Sequence, residues 1–530
     1  MYDIIIKNGT VIDGTGEPMF RADIGVREGI ITDIGDLQSE HAETEIDAKG
    51  KYVTPGFIDV NNHSDTYWRI FADPFLESLL YQGVTTIIGG NCGSSLAPLT
   101  NYDVIKSIQK WTAMKNVSFN WLSMEEFLNE VEKRKLSLNF ASLVGHGTLR
   151  RGLVGDEVRE ISSEEMEIMK NTLAQAMKEG ALGFSTGLVY SHSKLASALE
   201  INELAEVVKK YDGTYTTHIR GEGQNLIKAI EEAIRIAKDT GVRLQISHLK
   251  AIGEGNWGLM EKALNLIETA RADGIDVNFD IYPYTITGSV LYILLPDWVT
   301  EGGRNIMLSR LRDQETRKSV VKEMQENEHD YSKITISISN LNKTLNHKRI
   351  IDIAEIQNKS VEDVIIDLLI ASEGRVITMM DVLSGRNVDE GVANQFSMIS
   401  SNGSGYDIDH KDTGEVVHPR NFGSFPKVLA TYVRERGIIG WEEAIYKMSG
   451  LPAEKFKIRK RGIIKKGNCA DINILDPASI QDEATEENPY KYSKGMEWVI
   501  VNGKPAIKNG VITQSRSGEV IRRKAKLFEF

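Results

Sequence analysis

Of ten histidines in the chain, four close short apolar runs that read as strands: His63 in "GFIDVNNHSD", His146 in "NFASLVGHG", His218 in "GTYTTHIRGEG" and His248 in "VRLQISHLKA". Cys92 closes another such run, "TTIIGGNCG". Thiolate and neutral imidazole are the ligands that zinc takes in tetrahedral geometry, and a catalytic zinc keeps one position open for water. Cys92, His218 and His248 would supply three ligands. Zinc held so lowers the pKa of its water to about 7 and polarises a carbonyl, which is the chemistry of amide hydrolysis. An ordinary structural reading stands beside this one. Free cysteine is among the most buried residue types, and each histidine could be satisfied within a core. The metal reading gains from coincidence, since all these residues fall at strand ends on one rim.

Ligands so far apart in sequence need a scaffold that gathers strand ends. In the middle of the chain, apolar runs alternate with amphipathic helical stretches such as "SEEMEIMKNTLAQAMKEG" and "NLIKAIEEAIRIAKDTG". That alternation predicts an α/β fold. Counting "GFIDV" and a less regular run near "RVITMM", the series gives about the eight strands of a (β/α)8 TIM barrel, whose sites lie at the strand C-termini. Asn61, Tyr190 and Asn402 fall at such ends as well. Residues 291–348 are too many for a simple connection and carry helical periodicity of their own, so an inserted helical subdomain is expected beside the site. The chain ends read instead as short strands and turns, "DIIIKNGTVIDGTG" and "MEWVIVNGKPAIKNGVIT". Residues 1–54 with 455–530, including the basic tail "RRKAKLFEF", are expected to build one small β domain, and 55–454 the barrel.

The 530 residues, 41% hydrophobic and 26% charged, can bury a large core. A formal net charge of −12 repels phosphate backbones and anionic membranes, which argues against nucleic-acid and membrane partners. The opening "MYDIIIKNGTVIDGTG" lacks a basic leader with a long apolar core, and no run of about 18 apolar residues occurs. The two cysteines, Cys92 and Cys469, make a disulfide framework unexpected and a reducing cytoplasm the expected location.

Longer motifs carry a specific resemblance. "VTPGFID", "QGVTTIIGGNCGSSLAP", "GHGTLR", "ALGFSTGLVY", "THIRGEG", "ISHLKAIG", "YPYTITGS" and "VVHPRNFGSFPKVLATYVRERG" occur in this order across most of the chain. In them the sequence resembles the N-acyl-D-amino-acid deacylase (D-aminoacylase) branch of the amidohydrolase superfamily. The resemblance implies a TIM barrel with a small β-sandwich and zinc-dependent hydrolysis of N-acylated D-amino acids. It implies one tightly held zinc on Cys92, His218 and His248, with His63 a further metal candidate, and substrate contacts at Tyr190, Lys250, Tyr282, Ser289 and Arg420. The cations suit a small substrate with a free carboxylate, which arginine grips bidentately and lysine meets as a point charge. Asp65 and His146 are candidates for orienting the metal ligands. The tyrosines could equally be core-edge aromatics, and Lys250 a solvated rim residue.

Two positions depart from the family pattern. The His-x-His expected after the first strand reads Asn61-Asn62-His63, and the expected Ser-Asp-Gly reads Ser401-Asn402-Gly403. In the family that aspartate carries the proton from the attacking water to the leaving amine; an amide orients but does not titrate. Three ways round the loss are open: His63 or His146 as proton carrier, deamidation of Asn402 before Gly403, or a reaction that needs only Lewis-acid assistance. The leading expectation is deacylation of N-acyl-D-amino acids. The alternatives are a cyclic amide or imide hydrolase and a catalytically impaired metal- or ligand-binding protein.

Overall fold

The apolar runs of the central chain become strands buried on both faces, as parallel sheets require. Val84–Gly89, Thr214–His218 and Val277–Ile281 are buried at every position. The computed structural model describes residues 1–102, 104–105, 120–155, 157, 159–190, 193–326, 330–339, 341 and 343–523. Phe57–Asp59, Val84–Gly89 and Asn139–Ser142 pair in parallel and in sequence order. A second parallel sheet runs Val144–Gly145, Gly183–Gly187, Thr214–His218, Arg243–Ile246, Val277–Ile281 and Ser397–Ile399. Only Leu143 separates the two sheets along the chain, and a parallel bridge joins Asn62 to Gly403 beyond their outer strands.

Helices cover these strands for reasons visible in their sequences. In Leu226–Thr240 the buried residues Leu226, Ala229, Ile230, Ala233, Ile236 and Ala237 recur at helical spacing, and Gly241 ends the helix in the left-handed conformation. Met124–Arg134 and Ser163–Lys178 each open on a capping box, Ser123 with Glu126 and Ser162 with Glu165.

Both chain ends enter one seven-stranded sheet, in which Tyr52–Pro55 lies between Thr10–Val11 and Ile472–Leu475. A four-stranded sheet from the N-terminal region shares a core with it, through Ile4, Ile24 and Ile46 on one side and Val53, Ile472 and Ile500 on the other. The basic tail from residue 524 onward lies outside the described residues.

One strand assignment is corrected. The "RVITMM" run is the strand Val376–Asp381, and it pairs antiparallel with Ile286–Val290 and Ile334–Ser339 rather than joining the parallel series. Its side chains Val376 and Met380 join Leu291, Leu308, Ile336 and Leu369 in a separate hydrophobic core. That core also takes in residues beyond 348, among them Ile350, Val364 and Leu369. Among the described residues, no helix is long and apolar enough to cross a membrane.

Candidate active site

The C-terminal ends of the parallel strands meet in a pocket. His63, Cys92, Tyr190, His218, His248, Lys250, Ser289, Asn402 and Arg420 all line it. Three of these side chains converge: the donor atoms of Cys92, His218 and His248 lie within 4.8 Å of one another. Cys92 Sγ is 3.5 Å from His248 Nε2. The edge of a zinc tetrahedron between sulfur and nitrogen is about 3.6 Å from the usual bond lengths. Both ring nitrogens of His218 are buried without a hydrogen-bond partner; Nε2 lies 3.4 Å from Glu222 but outside hydrogen-bonding geometry. An orphaned imidazole beside a buried thiol and a second imidazole is a donor set that fits a divalent metal. In the protein alone, burial pushes the Cys92 thiol up to about 12, and a coordinating cation reverses that by favouring the thiolate.

The backbone is strained where it presents these groups. Cys92, His248 and Asn402 have φ of 52°, 38° and 44°, in the left-handed region that costs non-glycine residues about 1–3 kcal/mol each. Close packing holds the Cys92 loop there. A Cβ on Gly187 would come within 2.3 Å of the Cys92 carbonyl oxygen, so the neighbouring strand must offer a glycine. Asp65 accepts a 2.7 Å hydrogen bond from Gly90 N and so anchors the start of this loop. Burial raises the Asp65 carboxyl to about 6.

The two departing asparagines occupy different surroundings. Asn402 Oδ1 lies 3.0 Å from His63 Nε2, in the pocket. Burial pushes the His63 imidazole down to about 4, so it is neutral at pH 7. Asn61 is fully buried and donates to Asp280, 3.2 Å away. Asp280 also accepts from Ser400 Oγ at 2.7 Å and from the His248 amide at 3.0 Å, which fixes the backbone of that histidine.

Glu222 and Asp280 escape a reading based on residue type and spacing, although Glu222 lies in the quoted "GTYTTHIRGEG" and Asp280 two residues before the quoted "YPYTITGS". Glu222 pairs with Lys250 Nζ and lies 3.2 Å from His248 Nδ1. Burial opposes its charge, but Lys250 and the two histidines hold its carboxyl well below the usual carboxylate range. Lys250 in turn is 2.9 Å from His248 Nδ1. Arg420 is buried, with Nε and Nη1 lacking hydrogen-bond partners, and its guanidinium sits 4.9 Å over the Tyr282 ring. Tyr282 therefore supports Arg420 from behind and does not itself line this pocket among the described residues. Its hydroxyl donates to Thr287 at 3.2 Å.

A family profile described as "Amidohydrolase family" matches residues 44–350. The chain belongs to the amidohydrolase family. It is 34% identical to a D-aminoacylase of Alcaligenes xylosoxydans xylosoxydans over 99% of this chain and 98% of that one. An N-acyl-D-glutamate deacylase of the same organism is 32% identical over 99% and 97%. In three dimensions this amidohydrolase matches N-acyl-D-glutamate deacylase from Bordetella bronchiseptica, solved with zinc and a phosphonate inhibitor that mimics the tetrahedral intermediate. The TM-score is 0.82, with 29% identity over 98% of this chain and 100% of that one.

The structure does not bring His146 to the pocket of this amidohydrolase. Its ring is fully buried, with Nε2 2.7 Å from Glu200 and Nδ1 3.3 Å from Ser193. Arg150 shares the same carboxylate at 3.2 Å. A histidine so enclosed secures the helix that begins with it, and a proton relay through it has no path to the pocket in this arrangement. His146→Ala is expected to cost about 3 kcal/mol of stability, as breaking a buried charged network does. The steady-state kcat should stay within about threefold of the parent. Denaturant unfolding and steady-state assays of the same preparation check both.

Proposed function

We propose that this amidohydrolase is a zinc-dependent deacylase that cleaves N-acyl-D-amino acids to a D-amino acid and a carboxylate. The observation that carries the reading is the convergence of Cys92, His218 and His248 on a pocket that also holds the unpaired guanidinium of Arg420. Cys92, His218 and His248 would hold one zinc, with His63 as the nearest further imidazole rather than a member of that cluster. When bound, zinc supplies Lewis-acid polarisation of the scissile carbonyl and makes water ionisable near pH 7.

The chain's own residues do the rest. Arg420 grips the α-carboxylate, and the Tyr282 ring 4.9 Å from its guanidinium helps hold it in place. Tyr190, whose phenol burial holds well above its ordinary pKa, stays protonated and offers a donor beside His218. Ser289 completes the substrate contacts, while Lys250 lines the same pocket but is held by Glu222. Asn402 orients the reacting groups but carries no proton, and His63 against it is the residue placed to do so. The two parallel sheets form one (β/α)8 barrel closed near Asn62 and Gly403, with residues 1–54 and 455–530 as the β-sandwich and the segment around 291–348 as the inserted unit. The substrate is a small molecule with a free carboxylate, and the setting is cytoplasmic.

Purified protein assayed with N-acetyl-D-amino acids, their L-enantiomers and cyclic imides tests this reading. Turnover confined to the D-acyl series is the expected outcome; turnover confined to the imides would refute it. Arg420→Ala is expected to raise KM by about 10²-fold, the cost of leaving a carboxylate without its charged partner in a desolvated site. A KM unchanged on that substitution would remove Arg420 from substrate binding.

A further inference from the structure

The charges around the pocket do not balance, and the imbalance bears on which amino acids fit. Three permanently charged side chains line it among the described residues: Glu222, Lys250 and Arg420. Lys250 Nζ bonds the Glu222 carboxylate and also faces His248 Nδ1 at 2.9 Å and the His248 carbonyl at 3.2 Å. Both partners are buried, at 8% exposure each, so this ion pair is closed within the wall of the site. Arg420 has no such partner among the described residues. Its Nε and Nη1 are buried and unbonded, and the approach is left open by Gly288, where a Cβ would stand 3.7 Å from Nη2.

We propose that this site selects N-acyl-D-amino acids whose only carboxylate is the α-carboxylate, because Glu222 takes up Lys250 and leaves Arg420, among the described residues, as the single lining cation for a ligand. This rests on the deacylase reading above and names the substrate class within it. The rest of the lining carries no further permanent charge and includes Thr66, Tyr67, Ser94, Ile252, Ile293 and Met380, which are neutral and partly apolar. A second carboxylate on the substrate would lose its water against this wall with no cation among the described residues to receive it. An amide of the same shape avoids that penalty.

N-acetyl-D-glutamine and N-acetyl-D-glutamate differ only in that charge, so the zinc-loaded enzyme is assayed with both and their binding is followed by calorimetry. The expected kcat/KM ratio favours the glutamine derivative by about 10²-fold or more. A ratio at or below one overturns the inference. If neither is turned over but N-acetyl-D-glutamine binds tenfold or more tighter, the deacylase reading falls while the charge selection stands. Equal binding, or none, in that case overturns both. Glu222→Gln releases the charge of Lys250 and is expected to shift the ratio about tenfold toward glutamate, with zinc content measured alongside because Glu222 also lies against His248. An unchanged ratio in a zinc-replete variant overturns the role of the Glu222–Lys250 pair, whatever happens to the absolute rate.

Discussion

Asn402→Asp is expected to raise kcat for an N-acyl-D-amino acid by about 10²–10⁴-fold, the usual worth of a positioned general acid–base group. The substitution changes one atom pair and little volume. The position is already aimed: Asn402 lies in the pocket and its Oδ1 is 3.0 Å from His63 Nε2. An aspartate there keeps that hydrogen bond, with the His63 N–H donating to the carboxylate. It adds what the amide lacks, a site that receives a proton from the attacking water and returns it to the departing amine. The pH–rate profile supplies an independent sign. The variant should show an acid limb set by its new carboxylate and displaced from any limb of the parent, because that carboxylate must be ionised to accept a proton. An unchanged kcat in a folded, metal-replete variant would show that proton traffic in this chain does not pass through position 402. His63→Ala would then be the informative next variant, since that imidazole is the titratable group in contact with Asn402.

The metal cluster was legible in the sequence because rare residue types end apolar runs, whereas Arg420 came only from the family resemblance. A cysteine or histidine after a buried strand is conspicuous, and the strand ends of a parallel α/β series gather on one side whatever the helix lengths. Cys92, His218 and His248 meet for that reason. His146 obeyed the same rule of placement, yet its chain turns at once into a helix, and Glu200 from a later helix encloses the ring. Strand-end position predicts the rim but not the direction in which a side chain leaves it. Glu222 was missed for a related reason. It follows His218 by four residues through the turn Arg220-Gly221, and its meeting with Lys250 depends on a loop path that no periodicity encodes.

The fold divides along the same line. The parallel strands were recoverable because both of their faces are buried, which leaves short continuous apolar runs between amphipathic helices. Val376–Asp381 has that same run and belongs to a different sheet. An apolar hexamer states that it is buried, not against what. Val376 and Met380 close a core with helices from both before and after residue 348, among them Val361–Ala371 just upstream.

Cys92→Ala is expected to lower bound zinc from about one per chain to under about a tenth, and kcat/KM by at least about 10³-fold. The sulfur is the one soft donor in the cluster, and among the described residues no other cysteine, aspartate or glutamate joins the group. Two imidazoles alone leave a site of lower charge and incomplete geometry. Stability separates ligation from simple packing. A thiol that only filled space would, on truncation, weaken the fold with or without metal. A ligand couples the fold to metal instead, and metal at 1,000 times its dissociation constant stabilises the parent by about 4 kcal/mol. Chelation should therefore lower the melting temperature of the parent and leave that of Cys92→Ala nearly unmoved. Cys92→Ser sharpens the contrast, since the hydroxyl retains most of the volume and is a poor zinc ligand at neutral pH. A serine variant that kept its zinc and its response to chelator would place the metal elsewhere, and the strained left-handed backbone at Cys92 would then lack the functional reason that its position at the mouth of three convergent donors now supplies.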